Sequence, residues 1–276
     1  MKKLLFSLAA LMLSLSLYAG REIFMFDNGL SKTPTPEGKA NLLKKYGYTG
    51  ILGRMELFND RFIKVFDRKG IKSINAYVPI RPADKKRVDK TCARLKRLKG
   101  HCSYVFLNLG DRKSKMEDAI DATRKICDAA AENGMQVVLY PHFFCFTEKI
   151  ETCMEIIEKA DRKNLGIGFT LCHYLKVYGH QNVESTLRMM GKHLKLVLLN
   201  GANQYDKPLD GMSFKGLILP LNAGTFDLKR VFKVLDEINY GGPIIVQAYQ
   251  IKMKDEANLR LAMETLKKLD KRIECK

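Results

Sequence analysis

The chain has 276 residues, 46% apolar and 28% charged, and its 48 Lys and Arg against 30 Asp and Glu give a formal charge of +18. The length suits one domain with a large core. The seven cysteines form no CxxC pair, which excludes zinc-ribbon modules and leaves buried free thiols as the expectation.

At the amino terminus Lys2 and Lys3 precede an apolar run from Leu4 to Leu17 that ends in Tyr18, Ala19 and Gly20. This reads as a secretory signal peptide over residues 1–19. The run is shorter than the roughly 20 residues that span a bilayer, and no cysteine follows it for lipidation. The expected product is soluble, periplasmic and without a stable membrane anchor.

From there one pattern repeats, with short apolar runs alternating with longer amphipathic ones. Glu22 to Phe26 precedes a helix over Pro36 to Tyr46; Gly50 to Gly53 precedes Asn59 to Lys69; Ile71 to Val78 precedes Asp84 to Leu98. Ser103 to Leu109 precedes Lys115 to Asn133, Gln136 to Tyr140 precedes Glu148 to Ala160, and Gly166 to Thr170 precedes Val183 to His193. Lys195 to Leu199 precedes Asp227 to Ile238, and Pro243 to Ala248 precedes Asp255 to Leu269. Gly47, Gly70, Gly134 and Gly241 stand where helix ends or αβ turns are expected.

Eight β-then-α units predict an α/β fold, a single (β/α)8 TIM barrel over residues 20–276. A doubly wound open sheet is the rival, since period alone does not show closure. The absence of a glycine-rich phosphate loop after an early strand weakens a dinucleotide-binding version of it. The excess Lys and Arg are scattered through helix-like segments, such as Lys85 to Lys99, with no aromatic platform or basic tail. A solvated outer face is therefore expected, and no nucleic-acid partner.

In such a barrel the active site lies at the carboxyl ends of the strands. Those ends carry Asp27 and Asn28, Arg54 and Glu56, Tyr77, Asn108, Tyr140 and His142, Cys172 and His173, Asn200 and Asn203, and Gln247 and Tyr249. His142 and His173 stand out among five histidines, because they follow adjacent strands and face one metal or one substrate from neighbouring walls. Two hydrogen-bonded structural histidines are the plainer alternative. Glu148 and Glu56 are the carboxylates available as catalytic bases, although Glu148 also fits a first-turn helix acid. Arg54 is placed to hold a substrate oxyanion or to pair with Glu56. Tyr77, Tyr140 and Tyr249 offer a sugar flat apolar faces and hydroxyls together, with Asn108, Asn200 and Gln247 as further polar contacts. Pro141 ends the fifth strand, so that Tyr140 points inward and His142 leans over the mouth.

The segments LYPHFF, NLGIGFTLCHYLKV, LLNGAN, LILPLNAGTFDL and YGGPIIVQAY follow one another in that order, with FDNGL near the start of the barrel. This succession resembles the xylose-isomerase-like barrel superfamily, and more closely its exported branch of sugar phosphate isomerases/epimerases. The resemblance covers nearly all of residues 20–276. It implies a TIM barrel acting on a carbohydrate. Metal-dependent epimerases of the superfamily bind a divalent ion through Glu, Asp, His and Glu on strands five to eight. The matching positions here read Tyr140, Thr170, Asn200 (or Leu199) and Gln247, whereas His173 matches the histidine that follows the strand-six Asp.

A divalent metal of the Mn, Co, Ni or Zn type is therefore expected only in a rebuilt site, with His142 and His173 as nitrogen ligands and Gln247, Glu148 or Glu56 as oxygen donors. The resulting expectation is an isomerase, epimerase or lyase that acts on an unphosphorylated sugar or keto-sugar, such as a 3-keto-glycoside, through a stabilised enolate. A barrel that binds a sugar without turnover is the second reading. A metal-dependent endonuclease would need more His and acidic ligands than this rim carries.

Overall fold

The computed structural model describes residues 20–71 and 73–273. The expected signal peptide and Cys275 lie outside the described residues. Eight strands pair in parallel and in chain order: β1 (Ile23–Phe26), β2 (Gly50–Arg54), β3 (Ser73–Ile80), β4 (Cys102–Leu109), β5 (Gln136–Leu139), β6 (Leu165–Thr170), β7 (Leu194–Leu199) and β8 (Ile244–Val246). β8 pairs with β1, with Phe24 opposite Ile245, and so closes the sheet. Closure decides for the barrel and against the open sheet.

Side chains alternate across each strand, and this parity sorts the core. Phe24 and Phe26, Leu52, Phe106, Val138 and Tyr140, Leu196 and Leu198, and Ile245 pack together inside the barrel. The opposite parity (Ile23 and Met25, Val105 and Leu107, Val137 and Leu139, Val197 and Leu199) faces the helices. Large interior rings need small neighbours. A Cβ on Gly50 would stand 2.6 Å from the Phe24 ring, and one on Gly168 would stand 2.6 Å from Phe106. Glycine at both positions lets the aromatic interior fill without strain. Continued upward, the inward parity carries Arg54, Tyr77, Asn108, Tyr140, Thr170, Asn200 and Gln247 to one rim.

Around the barrel run α1 (Pro36–Lys45), α2 (Asp60–Lys69), α3 (Lys85–Leu95), α4 (Met116–Ala131) and α5 (Ile150–Ala160), followed by α6 (Leu171–Tyr178), α7 (Val183–Met190), α8 (Lys229–Glu237) and α9 (Asp255–Leu269). Their ends follow local chemistry. Thr35 caps α1 by accepting the Gly38 N–H, Pro36 opens the helix, and Gly70 ends α2 at φ +75°. Ion pairs such as Arg162 with Asp128, Arg188 with Glu237 and Arg230 with Glu184 join neighbouring outer segments, as the scattered basic composition implies. Below the barrel Arg21 pairs with Asp270 and donates to the carbonyls of Tyr240 (3.1 Å) and Gly242 (3.0 Å), tying the first described residues to the last helix. No helix among the described residues is long and apolar enough to cross a membrane. The six described cysteines are free thiols.

Two features depart from the expected pattern. α6 begins directly at the end of β6, one helix earlier than expected, because HYLKVY is apolar enough to bury almost all round. The crossover from β7 to α8 is a long strap, pinned by an antiparallel bridge between Gly201 and Leu219. Neither has a period that distinguishes it from a loop.

Candidate active site

A cavity of about 690 Å³ opens at the carboxyl ends of the strands. Tyr140 forms its floor, 2% exposed, with its ring stacked on Phe106 at 4.1 Å and edge-on to Tyr77 at 5.7 Å. Its backbone N–H still donates to Leu107 O at 2.8 Å, one residue past β5. Pro141 has no such donor, and the chain turns over the mouth. The turn needs Phe144 at φ +67°, a left-handed conformation that costs a bulky residue about 1–3 kcal/mol. Glu148 accepts the Phe144 N–H at 2.5 Å, and Arg112 lies 3.6 Å from Glu148 and over the Phe144 ring. Glu148 is thus engaged in holding the turn and does not line the cavity.

His142 and His173 do meet, with ring centroids 4.0 Å apart and both facing the cavity. Their hydrogen bonds fix their tautomers. A backbone N–H can only donate, so the 3.3 Å contact from Phe143 N makes His173 Nδ1 the acceptor. Burial, with a smaller contribution from His142, holds the His173 imidazole well below the ordinary value near 6.5, so it is neutral. Its proton then sits on Nε2 and is donated to Tyr140 Oη at 3.2 Å. The Tyr140 hydroxyl, neutral because burial pushes it well above 10, accepts that bond and keeps its own hydrogen for the cavity.

In His142 the order is reversed. Nδ1 lies 2.8 Å from Phe143 O, which can only accept, so Nδ1 carries the proton and Nε2 carries the lone pair. Burial lowers this imidazole too, against opposing contributions from that backbone bond and from Glu148. The Cys145 thiol stands 3.4 Å from Nδ1 and leaves Nε2 free. The pair is therefore one lone-pair base beside one hydroxyl donor.

This arrangement does not fit the expected metal ligands. Both ring nitrogens of His173 are committed, and Gln247 Oε1 accepts from Asn28 Nδ2 and from the Ala248 N–H at 3.2 Å. Only His142 Nε2 offers a free nitrogen. Among the described residues no three His, Cys, Asp or Glu side chains converge. The positions that the resemblance matches to metal ligands hold a phenol, a hydroxyl and two amides, at Tyr140, Thr170, Asn200 and Gln247. Thr170 Oγ1 and Asn200 Oδ1 are buried without partners.

The other expected residues divide between wall and support. Arg54, Glu56, Tyr77, Gln247 and Tyr249 line the cavity. Asn108 stands behind the wall, donating to Tyr77 Oη at 3.1 Å. Asn200 is fully buried and pins the strap by donating to Gly201 O (2.7 Å) and Leu217 O (2.6 Å). Glu56 pairs with Arg87 at 2.6 Å and with Arg94 at 3.8 Å, and not with Arg54. Burial raises its carboxyl, but backbone and Arg87 hydrogen bonds and the two guanidinium charges outweigh this and lower it overall. That makes Glu56 a poor base at neutral pH.

Three further residues line the cavity without an expected site role: Asp27, which pairs with the buried Lys39, and Phe214 and Ile218 from the strap. Asp27 was visible as a strand-end residue. Phe214 stands 5.1 Å from the His173 ring, brought there by a crossover with no periodic signal.

Two neutral histidines, His173 buried and His142 partly buried, make the fold acid-sensitive. The unfolded chain takes up their protons near pH 6.5, whereas the folded chain takes them up only at lower pH. Stability should thus fall as pH drops below about 6.5, by up to about 1.4 kcal/mol per pH unit for each histidine. Urea midpoints between pH 8 and 5 check this; a midpoint that holds or rises on acidification would contradict the neutral pair.

Comparison with known proteins agrees with this architecture. The family model of the xylose isomerase-like TIM barrel matches residues 40–269. Among curated proteins, inosose dehydratase of Geobacillus thermodenitrificans (strain NG80-2) is 28% identical over 139 residues, which is 48% of this chain and 46% of that protein. The match thus spans about half the length of that relative. Among solved structures, the IOLI protein with a bound zinc atom superposes with a TM-score of 0.75 at 17% identity, covering 92% of this chain and 100% of that one. D-psicose 3-epimerase from Clostridium cellulolyticum H10, solved with D-tagatose, gives 0.70 at 12% identity, covering 92% and 100%. At these identities the structural likeness concerns the fold. The family match extends over most of the chain, which belongs to the xylose isomerase-like TIM barrel family.

Proposed function

We propose that this protein is an exported enzyme that moves a proton at the carbon next to the carbonyl of a sugar or keto-sugar, as in isomerisation, epimerisation or elimination from a 3-keto-glycoside. The observation that carries the proposal is the opposed pair of tautomers. His142 Nε2 presents a lone pair to the cavity beside the Tyr140 O–H, whose orientation is set by the chain from Phe143 N–H through His173. With the substrate carbonyl on Tyr140, Nε2 takes the neighbouring C–H proton and the negative charge develops on the oxygen that Tyr140 holds. In elimination the proton on His142 leaves with the β-oxygen substituent. In isomerisation it is delivered to the former carbonyl carbon while the neighbouring hydroxyl gives its proton to the enolate oxygen. In epimerisation water protonates the opposite face of the carbon, and the resulting hydroxide takes the proton from His142. The family match and the inosose dehydratase relative support a carbohydrate substrate. Export is part of this reading and rests on the amino-terminal run; it makes an unphosphorylated substrate the better fit.

No step runs through a metal, because the donors present do not form a ligand set. The same replacement of ligand positions favours the second reading, a sugar-binding barrel without turnover. Product analysis on unphosphorylated ketoses and 3-keto-glucosides, with and without EDTA, separates the two. The expected result is conversion that persists in chelator. Binding without conversion selects the second reading, and activity lost to EDTA and restored by added metal overturns the mechanism.

A further inference from the structure

The charges at the cavity are unevenly matched. Its acids are paired: Asp27 with Lys39, and Glu56 with Arg87 and Arg94. Arg54 is different. It sits at the inward parity of β2, lines the cavity, and has its guanidinium 5.8 Å from the Tyr77 ring centroid, with no hydrogen bond or ion pair to any described residue. A second unmatched cation lies behind the wall. Lys176, on α6, is 1% exposed, and its ammonium is held by the carbonyls of Asp210 (2.9 Å) and Ser213 (3.2 Å) and by the faces of Phe143 (5.0 Å) and Phe214 (5.9 Å). No carboxylate accompanies it among the described residues. In a low-dielectric interior such a charge favours an anion nearby.

We infer that the cavity takes a sugar bearing a carboxylate, a uronate or its keto derivative, and that Arg54 is the residue that reads the carboxylate. This rests on the proton-transfer reading above and names its substrate class. A guanidinium offers two parallel N–H donors that match the two oxygens of a carboxylate. A phosphate dianion asks for further cationic donors, and no second unpaired cation lines the cavity among the described residues. The Tyr77 ring neighbours both groups, 5.8 Å from the guanidinium and 5.7 Å from the Tyr140 ring. A carboxylate on Arg54 therefore leaves the sugar ring lying over Tyr77, with its far carbons towards Tyr140 and His142.

The test is titration calorimetry of the whole protein with D-glucuronate, D-galacturonate, the matching neutral hexoses and their 6-phosphates. It is run on wild type, on Arg54→Gln, and on Arg68→Gln in the last turn of α2 as a control for net charge. The expected result is uronate binding at least about tenfold tighter than the hexose, weakening with salt, retained in Arg68→Gln and lost in Arg54→Gln. Equal binding of uronate and hexose, absence of uronate binding, or a preference that survives Arg54→Gln overturns the inference. Tighter binding of the 6-phosphates overturns the carboxylate assignment. If His142-dependent turnover of neutral keto-sugars is found without uronate preference, this inference alone falls. If no sugar binds or reacts, the proposed function falls with it.

Discussion

Replacing His142 by glutamine should lower turnover by about 100- to 10,000-fold, the range that a positioned general base contributes. The substitution keeps a polar side chain of similar length against His173 and Tyr140, so the rim retains its packing, but no glutamine nitrogen carries a basic lone pair. The wild-type pH profile gives a second check. Burial depresses the His142 imidazole below its ordinary value near 6.5, so the base form persists into mildly acidic solution. The acid limb of kcat/KM should lie below pH 6.5 and disappear from the residual activity of His142→Gln. An acid limb above pH 7, or one that survives the substitution, would point to another base.

The Tyr140→Phe change tests the other half of the pair and should lower kcat by about 100- to 1,000-fold, as loss of an oxyanion donor does elsewhere. Phenylalanine keeps the stack on Phe106 at 4.1 Å and the edge contact with Tyr77, and only the hydroxyl is lost. Because that hydroxyl acts on charge formed in the transition state, the loss should fall on kcat and leave KM nearly unchanged. The variant should also unfold more easily, by about 1–3 kcal/mol, since His173 Nε2–H is left buried without its acceptor. A rise in KM with kcat intact would make Tyr140 a binding residue only.

Much of this was legible in the sequence, for reasons that can be named. The strand pattern places Tyr77, Asn108, Tyr140 and Gln247 at the carboxyl ends of strands, and Pro141 marks where the ladder of β5 stops. Adjacent strands made His142 and His173 neighbours. What the sequence did not carry was the direction of each hydrogen bond. Two histidines at strand ends suit a metal and a proton relay equally well as residue types, and only the contacts with Phe143 N–H and Phe143 O separate them. Glu148 and Glu56 looked like bases because they are acids near a rim, whereas their partners Arg112, Arg87 and Arg94 come from other segments. Phe214 and Lys176 meet through the strap after β7, whose course depends on pairing at a distance and on buried backbone contacts.

The most direct test of the central claim is proton exchange at carbon. The protein is incubated in D2O with an unphosphorylated keto-sugar and EDTA, and the substrate C–H next to the carbonyl is followed by NMR. The account predicts deuterium at that carbon with wild type and, with His142→Gln, exchange at least about 100-fold slower. Exchange that His142→Gln leaves unchanged, or that stops in EDTA and returns with added metal, would contradict it.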